Sequence, residues 1–370
     1  MQKDFIKYEY LGKILNFVVF LILILSIIFI YSTTSPLSLS RYGNSFFFLK
    51  KHLIWIFISY ILLFVGYFIN LKFLEENSIF LAIFSILLLI LVFVPHIGYS
   101  VNGAKRWINL YFFNLKIQPS EISKIFFIIY IAGFLDRKRD EIKRNIFTSL
   151  KSLILPLIGI ILIYKEPDLG NIILLFGVFF LIFFVFGFNK KILLFFIVCA
   201  IAVEMYGIIS MPYRLKRLMT FWNPFMYVKG GGYQIVQSLL AMGSAGLIGK
   251  GIGNSILKLN YLPEAHTDFI LAIIMEELGI IGSFIIIFFY GTLIFISTKI
   301  IIITNDYFQK ILGFGIMSMI SMQAIINIAV VTGLFPTKGI TLPFLSFGGI
   351  SLCTCMFSRG LMLNIYKNNY

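Results

Sequence analysis

Hydrophobic residues fall in unbroken runs of about 18 or more positions along the chain, as in Ile14–Tyr31 and Ile172–Phe188, and polar residues gather in the gaps. Runs of that length match the hydrocarbon thickness of a bilayer. They do not alternate with period two, which excludes a β-barrel; helices are the remaining way to satisfy the backbone in lipid. The expected architecture is an all-α polytopic membrane protein of about ten transmembrane helices. Their approximate positions are 14–33, 53–70, 78–94, 121–135, 150–164, 169–187, 191–210, 268–298, 311–332 and 344–365. The first run follows Lys3, Lys7 and Lys13, is long and precedes no small-residue cleavage site, so it reads as a retained helix with its N-terminus inside.

Two gaps are longer than ordinary connections, Pro95–Ser120 and Met211–Thr267, and loops of that length in a compact protein are usually functional. The chain therefore reads as one integral membrane domain over 1–370, with 211–267 as a large extracytoplasmic loop between spans seven and eight. Pro119 fits the first turn of the fourth span. The glycine-rich stretch GSAGLIGKG departs from a phosphate-binding loop, because Ser244 stands where a Gly is needed and Gly251 where a Ser or Thr is needed. Within the same loop, YQIVQSLLAMGSAGLIG has helical spacing and moderate apolarity, which suits a re-entrant or interfacial helix, or one that merely covers the bundle. No internal repeat is visible, which lowers the expectation of a transporter built from repeated halves.

Composition agrees with this pattern: 59% of residues are hydrophobic and 13% charged. Short loops set orientation. Arg137, Lys138, Arg139, Lys143 and Arg144 after the fourth span, with Lys190 and Lys191 after the sixth, put both chain ends in the cytoplasm. The net charge of +15 exceeds what this rule needs, since loops assigned outside also carry Arg41, Lys105, Arg106, Arg214, Lys216, Arg217, Lys250, Lys258 and Lys338. Two explanations stand: anionic lipid headgroups, or a phosphate-bearing substrate handled at the outer surface. Nucleic acid is not expected, because the basic residues are scattered over separate loops. Cys199, Cys353 and Cys355 lie in apolar runs and form no disulfide framework. No metal-ligand spacing appears, so no bound structural metal is expected.

Groups that follow odd-numbered spans share one face of the membrane. Arg106, Glu121, Lys124, Asp168, His266, Asp268 and Lys338 all do so and are candidates to line one outer cavity. Each has a plainer reading. Glu121 and Lys124, three apart on a helix, can be a structural ion pair, and Asp168 can cap the sixth span. His266 can be an ordinary loop residue. Glu276 and Glu277 lie two turns deeper than Asp268, where they can pair within the bundle. Asp268 is the least easily dismissed, because an ionisable group at a membrane boundary is costly. It can bind a cation, relay protons or take a proton from a hydroxyl.

Five stretches in order, GAKRWINL with IQPSEISK, EPDLG, GGYQIVQSLLAMGSAGLIGKGIGNS, YLPEAHTDFILAIIMEELG and GLFPTKGITLPFLSFGGIS, resemble the SEDS proteins, the polytopic peptidoglycan glycosyltransferases of the FtsW and RodA type. The resemblance runs from about Tyr99 to Ser351. Thr341, where the elongation type commonly has Pro, makes the chain look more like the division type; Phe347, Ile350 and Met275 depart from the usual residues. The resemblance implies polymerisation of lipid II at the outer face, with Asp268 as general base. It implies a substrate cavity drawn from Arg106, Glu121, Lys124, Asp168, Glu264, His266, Lys338 and Ser346, with cations such as Arg106, Lys124 and Lys338 facing the diphosphate. The implied partners are lipid II and the growing glycan strand, a class B penicillin-binding protein transpeptidase, other divisome proteins and the membrane. No cofactor is required by sequence; a divalent cation, magnesium or manganese, can serve at the diphosphate. The rival readings are a lipid II flippase, a RodA-like elongation enzyme and a scaffold whose outer loops recruit the synthase.

Overall fold

The computed structural model describes residues 10–101, 104–110, 115–186, 190–209, 218–228, 230–259 and 261–370. Lys3, Lys7, Arg214, Lys216 and Arg217 lie outside these residues. The chain is mainly helical. Four helices among the described residues are long and apolar enough to cross a membrane: α1 (Leu11–Tyr42), α2 (Phe47–Phe68), and two later ones over Ile270–Ile303 and Tyr307–Val331. Between α2 and these lie α3 (Leu71–Glu76), α4 (Ser78–Leu91), α5 (Pro119–Arg137), α6 (Arg139–Arg144), α7 (Ile146–Lys151), α8 (Ile154–Lys165), α9 (Leu169–Val185), α10 (Lys190–Ile209) and α11 (Tyr233–Ala245). Ile270–Ile303 is then α12, Tyr307–Val331 is α13, and Gly349–Asn369 closes the chain as α14.

The structure corrects the all-α expectation in the first long gap. Gly98–Val101 (β1), Ala104–Leu110 (β2) and Leu115–Ile117 (β3) form a three-stranded antiparallel sheet. Its register pairs Tyr99 with Trp107 and Asn109 with Lys116. The stretch is rich in β-branched and aromatic residues that suit a half-buried pleated surface, and the Lys116 ammonium sits 4.2 Å from the centroid of the Tyr99 ring. In sequence, Asn102–Gly103 stands between β1 and β2, the dipeptide favoured in two-residue hairpin connections.

Boundaries also shift. The first helix runs to Tyr42 rather than ending near 33. Its last turns carry Ser32, Thr33, Thr34 and Ser38 on the buried side; Thr33 Oγ1 donates to Phe29 O and Thr34 Oγ1 to Ile30 O (2.6 Å), so these polar residues continue the helix by bonding back to it. The last helix starts at Gly349 rather than 344.

The chain divides into two compact units. The first comprises Met1–Ile61, Tyr206–Ile296 and Ile320–Met356; the second comprises Leu62–Met205, Ser297–Met319 and Phe357–Tyr370. In the first, α1 buries Leu15, Val18, Val19, Ile22, Leu23, Ser26, Phe29 and Ile30 at helical spacing and exposes Phe17, Phe20, Ile24 and Ile28. In the second, α4 exposes Phe80, Ile83, Phe84, Leu87 and Ile90. Apolar faces this extensive are unfavourable in water and suit a lipid surround.

Close helix contact in the second unit depends on two glycines. A Cβ built on Gly66 falls 2.6 Å from Phe357 O, and one built on Gly360 falls 2.2 Å from Leu63 O, so the two backbones touch where any side chain would intrude. Nearby, Asn364 Nδ2 donates to Gly66 O at 3.1 Å and to Ile69 O at 2.6 Å. Gly360→Ala is expected to destabilise the protein by about 1–3 kcal/mol through overpacking against backbone, seen as a lowered melting temperature in detergent; an unchanged melt would show that the helices separate at no cost.

Candidate functional site

In the first unit the chain turns tightly before α12. Glu264 has left-handed backbone (φ 57), its carbonyl accepts from Thr267 N and Phe269 N at 3.2 Å each, and its side chain accepts from Thr267 Oγ1 at 2.8 Å. Asp268 follows, half-buried, two residues before the helix begins. From α13, Asn327 Nδ2 donates to Asp268 O at 2.8 Å and to Ile340 O at 2.7 Å. A Cβ built on Gly339 would lie 3.2 Å from Asp268 Oδ2, so the backbone after Lys338 packs beside the carboxylate. The His266 ring lies 5.8 Å from the Phe48 ring and 5.7 Å from the Phe347 ring, and His266 O accepts from Phe347 N at 2.9 Å. Ser346 Oγ accepts from Leu342 N at 2.8 Å, closing the turn in the last motif. Thus Glu264, His266 and Ser346 shape the segments around Asp268. Burial pulls the His266 imidazole below its ordinary pKa, opposed by Glu264 and assisted by Arg41, which keeps the ring neutral at neutral pH.

Glu276 and Glu277 are buried in α12 and are paired. Lys250 Nζ meets Glu276 Oε1 at 2.6 Å and Lys258 Nζ meets Glu277 Oε1 at 3.4 Å. Main-chain bonds accompany these pairs, from Lys250 N to Glu276 O (2.9 Å) and from Gly251 N to Glu277 O (3.0 Å). The stretch after α11 therefore lies along α12 where that helix breaks at Gly279 (φ 68, ψ −158). Cβ atoms built on Gly249 and Gly279 would fall within 2.5 Å of the opposing backbone, which is why both positions are glycine.

In the second unit, the start of α5, the start of α9 and strand β2 meet. Lys124 Nζ and Glu121 Oε1 form a buried ion pair at 2.7 Å. Asp168 caps α9, accepting from Asn171 N at 3.3 Å, Asn171 Nδ2 at 2.8 Å and Gln118 Nε2 at 3.1 Å. Arg106 donates from Nε to Glu166 O at 3.0 Å and from Nη2 to Pro167 O at 2.6 Å. Four of the expected cavity groups, Arg106, Glu121, Lys124 and Asp168, are therefore at least partly engaged in holding the fold. Sequence reasoning missed Gln118 and Asn171, although Gln118 stands inside the motif IQPSEISK and Asn171 directly after EPDLG; Asn327, inside an apolar run, carried no such signal.

Glu166 was also missed. It is fully buried, and neither carboxyl oxygen has a hydrogen-bond partner among the described residues. Burial pushes its pKa up to about 9, with Asp168 adding and the Arg106 guanidinium opposing. Between the ordinary value of 4.5 and about 9 the folded protein keeps a proton that the unfolded chain releases, so stability falls as pH rises through that window. Glu166→Gln removes this loss. Its melting temperature relative to the parent is expected to rise between about pH 5 and about pH 8; a constant difference would mean that Glu166 ionises normally.

Comparison with known proteins places these features in context. The sequence profile of the FtsW/RodA/SpoVE family, described as cell cycle protein, matches residues 13–370. The chain is 40% identical to the probable peptidoglycan glycosyltransferase FtsW of Wigglesworthia glossinidia brevipalpis, covering 98% of this chain and 95% of that one. It is 41% identical to the protein of the same name from Buchnera aphidicola subsp. Schizaphis graminum, covering 90% and 94%. Among solved structures, the rod shape determining protein RodA of Thermus thermophilus superposes with a TM-score of 0.71 at 25% identity, covering 96% of each chain. A chain from work described as "Structural coordination of polymerization and crosslinking by a peptidoglycan synthase complex" shares the fold with a TM-score of 0.78 at 23% identity, covering 96% of this chain and 97% of that one.

Proposed function

The chain belongs to the FtsW/RodA/SpoVE family, and from that premise we propose that it is a peptidoglycan glycosyltransferase that polymerises lipid II into β-1,4 glycan strands at the outer face of the cytoplasmic membrane, for septal wall synthesis in division. The observation that carries the chemistry is the setting of Asp268. The residue is half-buried rather than sealed in the bundle, and its main chain is fixed by Asn327. Asp268 takes the proton from the 4-hydroxyl of the acceptor's GlcNAc. That oxygen attacks the anomeric carbon of MurNAc on the growing strand, the bond to undecaprenyl diphosphate breaks, and the configuration inverts. A diphosphate departs without strong help from a general acid, so one carboxylate suffices.

The same proposal includes the topology: about ten crossings, both termini cytoplasmic, and the loop over 211–267 outside. Lys338, in the same unit as Asp268, is a cation assigned to the diphosphate. Among the described residues no group of three or more His, Cys, Asp or Glu side chains is placed to hold a metal. A magnesium or manganese ion, if used, would be held chiefly by the diphosphate oxygens, as magnesium commonly is. A class B penicillin-binding protein crosslinks the product, and other divisome proteins govern when the pair acts. The division role rests on the FtsW relatives at 40–41% identity, against 25% for RodA.

The flippase reading needs a polar path through the membrane. Its chief candidates, Glu276 and Glu277, are engaged with Lys250 and Lys258, which counts against it. The deciding experiment supplies labelled lipid II to the protein purified with its transpeptidase. Asp268→Asn is expected to lower glycan polymer formation by about 100-fold or more. Undiminished polymer from Asp268→Asn would sink the assignment, and transfer of lipid II across vesicles without polymer would put the flippase in its place.

A further inference from the structure

We propose that Asn327 is a positioning residue for the transfer reaction: its carboxamide joins the main chain of Asp268 to that of Ile340 and thereby sets where the Asp268 carboxylate stands. The inference rests on Asp268 being the base.

Asn327 lies on α13, almost fully buried, at 1% exposure. One nitrogen carries the whole link, since Nδ2 has two hydrogens and gives one to Asp268 O (2.8 Å) and the other to Ile340 O (2.7 Å). The alternative amide orientation would set Oδ1 against two carbonyl oxygens, so the network fixes which way the side chain points. Few side chains can substitute. A Ser hydroxyl has one hydrogen, a carboxylate has none, and Gln is a methylene too long.

Ala272 N donates to Phe269 O at 3.0 Å, one residue beyond Asp268, and Asn327 donates to the Asp268 carbonyl just ahead of the helix. On the other side of the link, Ile340 follows Gly339, whose backbone lies beside Asp268 Oδ2. One turn before Asn327, Gln323 Nε2 donates to Thr341 O at 3.1 Å, so two amides on one face of α13 hold consecutive carbonyls of the last motif. The carboxylate and the segment carrying Lys338 thus take their relative position from α13. Displacement of a reacting group by about 1 Å can cost about 100-fold in rate, which is the scale on which loss of the link should show.

The test measures polymerisation of lipid II by the complete chain with its transpeptidase. Rates are normalised to the number of sites that bind lipid II, and melting temperatures are taken for every variant. Asn327→Ala is expected to lower kcat roughly tenfold to 100-fold while KM stays within about twofold, because the link touches the base and not the substrate. Asn327→Ser, which keeps one donor, is expected to fall between and stands in where Asn327→Ala does not fold. Gly360→Ala, destabilised at a site in the other unit, serves as control and keeps its kcat per binding site. A kcat within about twofold of the parent in both Asn327 variants, or a loss matched by the Gly360→Ala control, would overturn the proposal. Full activity in Asp268→Asn would instead overturn the catalytic reading on which it rests.

Discussion

A carbonyl buried away from water must find a hydrogen-bond donor, and in the first unit that requirement organises everything around Asp268. The segment between α13 and α14 is not helical, so it has no internal ladder to satisfy its backbone. Side chains on the surrounding helices supply the donors one at a time. Asn327 takes Ile340 O, Gln323 takes Thr341 O, Tyr290 Oη takes Pro343 O, and Ser26 Oγ takes Leu345 O. Ser238 Oγ on α11 takes Val331 O at the end of α13. Irregular backbone is affordable at this depth only because these donors are fixed on helices, and the fixing makes the segment rigid.

The same requirement explains the charged pairs of α12. At Gly279 the helix breaks and loses part of its own bonding; Ile280 N and Ile281 N turn instead to Gly246 O and Leu247 O. Once the stretch from Gly246 to Lys258 lies against α12, Lys250 and Lys258 come within reach of Glu276 and Glu277. Glu276 also accepts from Ser255 Oγ, and Glu277 from Ser32 Oγ of α1. The donors around Glu276 offset part of the desolvation cost of burying its charge, and removal of one partner from either pair would strand the other. Acids that look like a transport path in sequence thus fasten a loop to a broken helix.

Hydropathy made the helices legible, and local chemistry made several of their ends legible. Pro119 opens α5 and Asp168 caps α9, as their residue types imply. The sheet of residues 98–117 was not legible from hydropathy, since its strands are short and only partly buried; Asn102–Gly103 was the available sign. The true end of α1 was hidden because Ser and Thr residues lower hydropathy, while the hydroxyls of Thr33 and Thr34 bond back to the helix. Asn327 and Gln323 were hidden for a related reason. An amide inside an apolar run fits no motif, and its meaning appears only when the carbonyls it serves arrive from about 13 and 18 residues along the chain.

This accounting also separates Asp268 from the other acids of the motifs. Asp168 is buried and receives three bonds from two residues, Glu121 is buried against Lys124, and Glu276 and Glu277 are buried against lysines. A general base has to reach a substrate hydroxyl, which a carboxylate buried and paired inside the bundle cannot do without breaking the packing around it. Asp268 is half-buried, and its main-chain carbonyl is anchored by Asn327. Anchoring the backbone on a buried helix fixes where the residue stands at the mouth of α12 while leaving it within reach of a substrate hydroxyl.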